Sequence, residues 1–170
     1  MNIRIGILTV SDKGASGQRC DTSGPAIKEM TQGLGETVIY EIVPDDAPTI
    51  SGHLISWADT RDLHLIITTG GTGVSPRDVT PEATRTVIER EAPGLTEAMR
   101  MNGLSHTPMS MLSRAVAGIR GQTLIVNLPG SKQAAQENLA VILPVLPHAL
   151  AVLRGQAGEH PVSQSQLSEM

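Results

Sequence analysis

Two aspartates and one glycine-rich run are the residues of this sequence best suited to chemistry. Leu63 to Thr69 reads as a strand and runs directly into Gly70-Gly71-Thr72-Gly73. Glycines there let backbone N–H groups approach a phosphate without side-chain obstruction. Ser75, Arg77 and Asp78 follow in the same loop. They offer a hydroxyl, a guanidinium able to clamp a phosphate, and a carboxylate able to hold a divalent cation or position a nucleophile. Asp45 follows another strand, at the sheet edge where Asp78 also emerges, so the pair can share a metal ion. The run matches neither G-x-x-x-x-G-K-[ST] nor a complete G-x-G-x-x-G. A tight loop without a ligand, and an Asx-turn at Asp78, are the plain structural alternatives.

A further strand end repeats the design. Asn127-Leu128-Pro129-Gly130-Ser131-Lys132 places a polar residue at the strand end, then a turn, then a helix start whose open N–H groups favour an anion. Ser131 as an ordinary N-cap with a solvated Lys132 is the alternative. Ser11-Asp12-Lys13, after the first strand, is a weaker version and by itself reads as a turn. The five histidines show no ligand spacing and belong to surface or core. No G-x-S-x-G elbow occurs, so no hydrolase triad is implied. Cys20 sits in a polar loop with no nearby His. Met99, Met101, Met109 and Met111 read as flexible core filler.

These residues need a scaffold, and the composition bounds it. The 170 residues suit one domain, expected over 1–154, with 155–170 a polar, flexible tail. Lys+Arg number 13 and Asp+Glu 17, a net charge of −4, which excludes general nucleic-acid binding through surplus cations. One Trp, one Tyr and no Phe leave no platform for stacking bases, so the core is aliphatic. The single cysteine allows no internal disulfide and fits a reducing cytosol. The first residues run straight into strand-like sequence without a signal-peptide core, and Leu139 to Leu153, with Pro144, Pro147 and His148, falls short of a membrane span. A cytoplasmic protein is expected.

Strands are read at 3–10, 38–43, 63–69 and 123–128. Helices are read from a Ser23 cap to Met30, after an Asp46 cap with Ile50, Leu54 and Trp57 on one face, and from a Thr80 cap with Pro81 through Ile88, broken at Pro93-Gly94. Helical stretches follow at 95–101 and 109–114, and a long helix spans Lys132 to Leu143, kinked or restarted by Pro144 and Pro147. Apolar strands alternating with helices predict an α/β fold: a doubly wound, mostly parallel sheet with helices on both faces. Such sheets bind ligands beyond the carboxyl ends of their strands.

Taken together, Ile67-Thr68-Thr69-Gly70-Gly71-Thr72-Gly73 with Asp78, Pro44-Asp45, Leu112-Ser113-Arg114 and Asn127-Leu128-Pro129-Gly130-Ser131 resemble the MogA/MoaB family of molybdenum-cofactor biosynthesis proteins. The likeness runs from Ile5 to about Leu153. Residues 77–84 and 93–100 look more like the MogA branch, the molybdopterin adenylyltransferases. The resemblance implies a Mg²⁺-dependent enzyme that joins the AMP part of ATP to the terminal phosphate of molybdopterin and releases pyrophosphate. It also implies a homotrimer and a molybdenum-insertion partner protein. The acidic, metal-holding pair falls on Asp45 and Asp78. The pterin-phosphate loop falls on Gly70, Gly71, Thr72, Gly73 and Ser75, and the remaining substrate contacts on Ser11, Asp12, Arg77, Arg114, Asn127, Pro129, Gly130 and Ser131. Lys13 departs from the family, where Arg is common. A non-catalytic pterin-binding module and a MoaB-like paralogue are the competing readings. A phosphate monoester is already anionic at neutral pH, so such a reaction needs charge relief between two polyanions rather than a histidine base.

Overall fold

Strand β1 (Arg4–Val10) is buried along almost all of its length, as expected of a parallel strand covered on both faces. In this computed structural model residues 2–156 are described, and the expected polar tail beyond 156 lies outside the described residues. Five more strands complete the sheet: β2 (Glu36–Val43), β3 (Leu65–Thr69), β4 (Arg90–Glu91), β5 (Ala117–Arg120) and β6 (Thr123–Leu128). Their order is β2-β1-β3-β6-β5-β4. The first four of these are parallel, whereas β5 and β4 are antiparallel additions at one edge.

Among the described residues seven helices accompany them: α1 (Asp12–Ala15), α2 (Ser23–Met30), α3 (Ala47–Thr60), α4 (Thr80–Arg85), α5 (Pro93–Leu104), α6 (Lys132–Ile142) and α7 (Leu146–Leu153). Period-two alternation splits the core. Ile5, Ile7, Leu65, Ile67, Leu124 and Val126 face Ile27 of α2, Met99 of α5, Leu139 of α6 and Leu146 of α7. Leu8, Val10, Ile66 and Ile125 face Ile50, Leu54 and Trp57 of α3 and Ala83 of α4. The sheet is therefore doubly wound and mostly parallel, as expected. A 3-10 turn at Leu143–Val145 joins α6 to α7, so Lys132–Leu153 is a 22-residue run long and apolar enough, by composition, to cross a membrane. Its apolar stripe is already committed to the sheet through Ala135, Leu139, Ile142, Leu146 and Leu150.

Strand register explains why the chemistry-bearing loops converge. Val10 pairs with Val43, Thr9 with Thr69, and Thr69 with Leu128, so the loops that follow β1, β2, β3 and β6 leave from one row. From β1 the chain winds to β2 on one side, and from β3 it winds towards β6 on the other, which opens a crevice at the β1–β3 switch point.

Several local expectations need correction. Residues 86–92 do not continue α4, because Glu89 N–H donates to the Ile119 carbonyl and Ala92 N–H to the Ala117 carbonyl, which draws this segment onto the sheet edge. Pro93 begins α5 instead of breaking a helix, a role its fixed φ and missing N–H suit. The stretch after Met109 is a 3-10 turn, Pro108–Leu112. Of the four methionines read as core filler, only Met99 is buried; Met101, Met109 and Met111 are exposed.

Candidate active site

The glycine run makes a turn that other residues cannot make. Gly70 has φ +101° and Gly71 φ +64°. A Cβ at Gly70 would lie 2.2 Å from the Val10 carbonyl oxygen, and one at Gly71 would lie 2.4 Å from Thr80 Oγ1 and 3.0 Å from Asp45 Oδ1. Hydroxyls hold the turn in place. Thr80 Oγ1 donates to the Gly70 carbonyl at 2.9 Å, and Thr69 Oγ1 donates to the Pro129 carbonyl at 2.6 Å. Thr80 is thus the first residue of α4 and not its side-chain cap, since α4 has none. Ser131 does cap α6, accepting from Ala134 N–H.

Both aspartates stand against this turn. Asp45 Oδ2 accepts from Asp12 N–H at 2.9 Å, which leaves Oδ1 facing Gly71. Asp12 returns the contact, its Oδ1 accepting from Asp45 N–H at 2.9 Å, and its Oδ2 accepts from Arg77 Nε and Nη2 at 3.1 and 2.8 Å. Desolvation pushes the Asp45 carboxyl above its ordinary pKa, opposed by the Asp12 N–H and reinforced by the charges of Asp12 and Asp78. Asp78 Oδ2 accepts from Ser75 N–H at 3.0 Å, so its carboxylate also closes its own loop.

Two cavities meet here. The first, about 580 Å³, lies between Ser11, Asp21, Asp45, Gly70 and Lys132. The second, about 500 Å³, is walled by Thr72, Gly73, Met109, Leu112, Pro129 and Asn138. Gly71, Asp78, Gly130 and Ser131 line both. Asp21 is a residue of the first wall that the sequence reading missed. Its Oδ2 accepts from Thr9 Oγ1 at 2.5 Å and Tyr40 OH at 2.6 Å, while Oδ1 accepts from the N–H groups of Ser23 and Gly24. Burial works against its charge, but these hydrogen bonds outweigh that and hold its carboxyl below the usual pKa. Asp21 therefore satisfies the start of α2, and Ser23, read as the cap, sends its hydroxyl to the Gly130 carbonyl at 2.7 Å. An Asp two residues before Ser23-Gly24-Pro25 was the available signal.

Residues 6–148 match the family model described as "probable molybdopterin binding domain". The chain belongs to the molybdopterin-binding-domain family. Gephyrin from Dictyostelium discoideum is 42% identical over 89% of this chain and 23% of its own length. The chain spans about a quarter of the longer relatives it matches. A molybdopterin adenylyltransferase of Helicobacter pylori J99 is 41% identical, covering 90% of this chain and 89% of the relative. Among solved structures, the molybdopterin biosynthesis enzyme MoaB from Thermus thermophilus is 57% identical with a TM-score of 0.86, covering 90% of this chain and 97% of that one.

Within this molybdopterin-binding domain, most of the expected site residues are gathered, but not all at the cavity walls. Ser11 lines the first cavity, and Thr72, Gly73 and Pro129 line the second. Ser75 is exposed, and its Oγ accepts from Arg77 N–H. Asp12 and Arg77 form an ion pair, with the Arg77 side chain 67% exposed. Asn127 is set apart from the expected substrate contacts. It is fully buried, donating to Thr68 and Thr84 hydroxyls and accepting from Val116 N–H. Arg114 lines neither cavity. Cys20, in contrast, is an exposed thiol at the first cavity wall.

The donor set suits magnesium. That ion takes one or two carboxylates together with phosphate oxygens and water, not an all-protein cage. Among the described residues no group of three or more His, Cys, Asp or Glu side chains is assembled for a metal. Desolvation of the Asp45 carboxylate, with the charges of Asp12 and Asp78 beside it, is the electrostatic cost that a dication would offset.

Proposed function

We propose that this chain is a molybdopterin adenylyltransferase of molybdenum-cofactor biosynthesis. It joins AMP from ATP to the terminal phosphate of molybdopterin. An oxygen of that phosphate attacks the α-phosphorus of ATP, and the bond from that phosphorus to the pyrophosphate oxygen breaks. The observation that carries the reading is the position of Asp78, beside Gly71 and Gly130, on the seam between two cavities. A seam of this kind lets two ligands present their phosphates to one another.

Each part of the site has a role in this reading. The Gly70–Gly73 main chain and the Ser131 end of α6, with Lys132, receive phosphate oxygens. Ser11, Pro129 and Gly130 shape the walls. Arg77 is held beside Asp45 by Asp12, ready to offset incoming negative charge. Asp45 and Asp78 would hold Mg²⁺, which when bound supplies charge neutralisation between the two polyanions. The Asp21 network and the Ser23 hydroxyl keep the first wall in place.

The enzyme is proposed to work as a cytoplasmic homotrimer that passes its product to a molybdenum-insertion partner. The exposed Met101, Leu104, Met109, Met111 and Leu112 support self-association, which a light-scattering mass checks. Release of pyrophosphate from ATP on adding molybdopterin and Mg²⁺ tests the function directly. Tight pterin binding without release would instead select a binding module. The 57% identity to a structure bearing the MoaB name favours one second reading, a paralogue with different nucleotide use. Release with another nucleotide in place of ATP would select it.

A further inference from the structure

Arg114 reaches across the whole loop that carries Asp78. Its backbone N–H donates to the Thr72 carbonyl at 2.9 Å. Its side chain donates from Nε to the Gly73 carbonyl at 2.6 Å, from Nη2 to the Asp78 carbonyl at 2.6 Å, and from Nη1 to Glu82 Oε1. Gly73 and Asp78 are the two ends of the loop, and Glu82 lies one helical turn further on, in α4. One planar fork therefore fixes the loop's entry, its exit and the helix that follows. Lysine has a single donor head and cannot span all three. Burial works against the Glu82 charge, but the Arg114 hydrogen bond, its own backbone N–H and the charges of Arg114 and Arg85 together keep the carboxyl below its usual pKa.

We propose that Arg114, oriented by Glu82, is a positioning residue that sets the Asp78 carboxylate at the seam, and that it does not contact substrate. The inference rests on the reading above that Asp78 acts at the reacting centre. Nε, Nη1 and Nη2 each donate to a protein oxygen and Arg114 lines neither cavity, so a substrate contact would require the clamp to move. The chain of support runs from Glu82 to Arg114 to the loop ends to Asp78. Supporting residues of this kind affect metal affinity and turnover through the ligand they hold.

Arg114→Lys and Glu82→Leu test the clamp in the full chain. With Arg114→Lys, amide hydrogen exchange at Ser75, Arg77 and Asp78, the loop amides with acceptors, should speed up by about tenfold or more while sheet amides are unchanged. The Mg²⁺ concentration for half-maximal pyrophosphate release should rise by about tenfold. KM for ATP and for molybdopterin, at saturating Mg²⁺, should stay within about threefold, because no substrate contact is lost. Glu82→Leu should move exchange and Mg²⁺ dependence the same way by less, and Glu82→Gln, which keeps an acceptor for Nη1, should restore most of the protection. Unchanged loop exchange in folded Arg114→Lys overturns the proposal. So does a tenfold rise in substrate KM with an unaltered Mg²⁺ requirement. Should Arg114→Lys not fold, an absence of any exchange change in Glu82→Leu overturns it equally. A wild-type chain that releases no pyrophosphate defeats the adenylyltransferase reading alone, and loop exchange still decides the clamp.

Discussion

Asp12 and Asp45 are bound to each other twice, each carboxylate accepting from the other's backbone N–H at 2.9 Å. This exchange fastens the loop after β1 to the loop after β2, and Arg77 then joins the loop after β3 to Asp12. Asp12 is thus the hinge pin of three strand-end loops. Its charge also bears on Asp45, whose carboxyl is raised chiefly by desolvation and further by Asp12 and Asp78. Asp12→Asn keeps an acceptor for Asp45 N–H and removes that charge. The Asp45 carboxyl should then titrate at lower pH, by carbon NMR, and the acid limb of kcat/KM should move down with it. An acid limb that stays in place would separate Asp45 ionisation from turnover.

Asp78→Asn leaves an oxygen to accept from Ser75 N–H, so the loop should keep its shape. What it removes is the charge at the seam. Adenylyl transfer should fall by on the order of 10²-fold or more, with the melting temperature close to wild type. Unaltered turnover in this variant would take Asp78 out of the reaction.

Asp45 imposes a cost on the fold for the same reason that it suits a cation. Its folded-state pKa is raised above the unfolded value, so the folded state binds the proton more tightly. That contribution is fully present below the ordinary carboxylate pKa and is lost as pH rises through the folded value. At neutral pH the ionised side chain therefore destabilises the protein. Asp45→Asn should raise Tm by roughly 2 °C at pH 7 while abolishing transfer, and the gain should vanish near pH 3. Calorimetry across that range checks both ends.

Much of this site can be read in the sequence because strand ends in a doubly wound sheet share one edge. Asp45, Asp78, the Gly70–Gly73 turn and Gly130-Ser131 needed only that rule to be placed together. The hydroxyls did not yield to local rules. Ser23 and Thr80 are both read as caps but are the first residues of their helices, and each donates to a carbonyl of a distant loop, Gly130 and Gly70 respectively. Capping is a local expectation, and tertiary partners displaced it. Asn127 has the polar chemistry of a ligand contact but is consumed inside the protein, and Arg114 donates to the two ends of the Asp78 loop, which only the packing shows. β4 and β5 escaped notice because they are two and four residues long; Gly121, at φ +54° in the β5–β6 turn, was the one clear signal and pointed to β5 alone.

His64 gives the fold a second pH dependence, away from the site. It is buried, and its Nδ1 accepts from Arg4 N–H at 3.2 Å. Desolvation and the nearby Arg154 lower its pKa below the usual histidine value. The unfolded chain therefore takes up the proton first as pH falls. The stability held above about pH 6.5 is lost progressively below it. His64→Asn retains an acceptor for Arg4 without the titration, and it should flatten the decline of Tm between pH 7 and 5. A decline identical to wild type would assign the pH dependence to other groups.

Gly71 is where strain, packing and chemistry meet. Its φ of +64° disfavours any side chain, and its missing Cβ makes room for both Thr80 Oγ1 and Asp45 Oδ1. Gly71→Ala must displace Thr80 Oγ1, which its Cβ would meet at 2.4 Å, and it also crowds Asp45 Oδ1 at 3.0 Å. Displacing Thr80 breaks its hydrogen bond to the Gly70 carbonyl, whereas displacing Asp45 moves a carboxylate at the seam. The fold should lose about 1–3 kcal/mol, read from urea unfolding. Transfer should fall by tenfold or more beyond that loss, measured at a temperature where the variant is fully folded. Thr80→Val separates the two routes. It removes only the hydroxyl, so it should cost about 1 kcal/mol and leave most of the activity. If Thr80→Val instead matched the activity loss of Gly71→Ala, the shape of the turn, and not the room it leaves for Asp45, would be what the glycine secures.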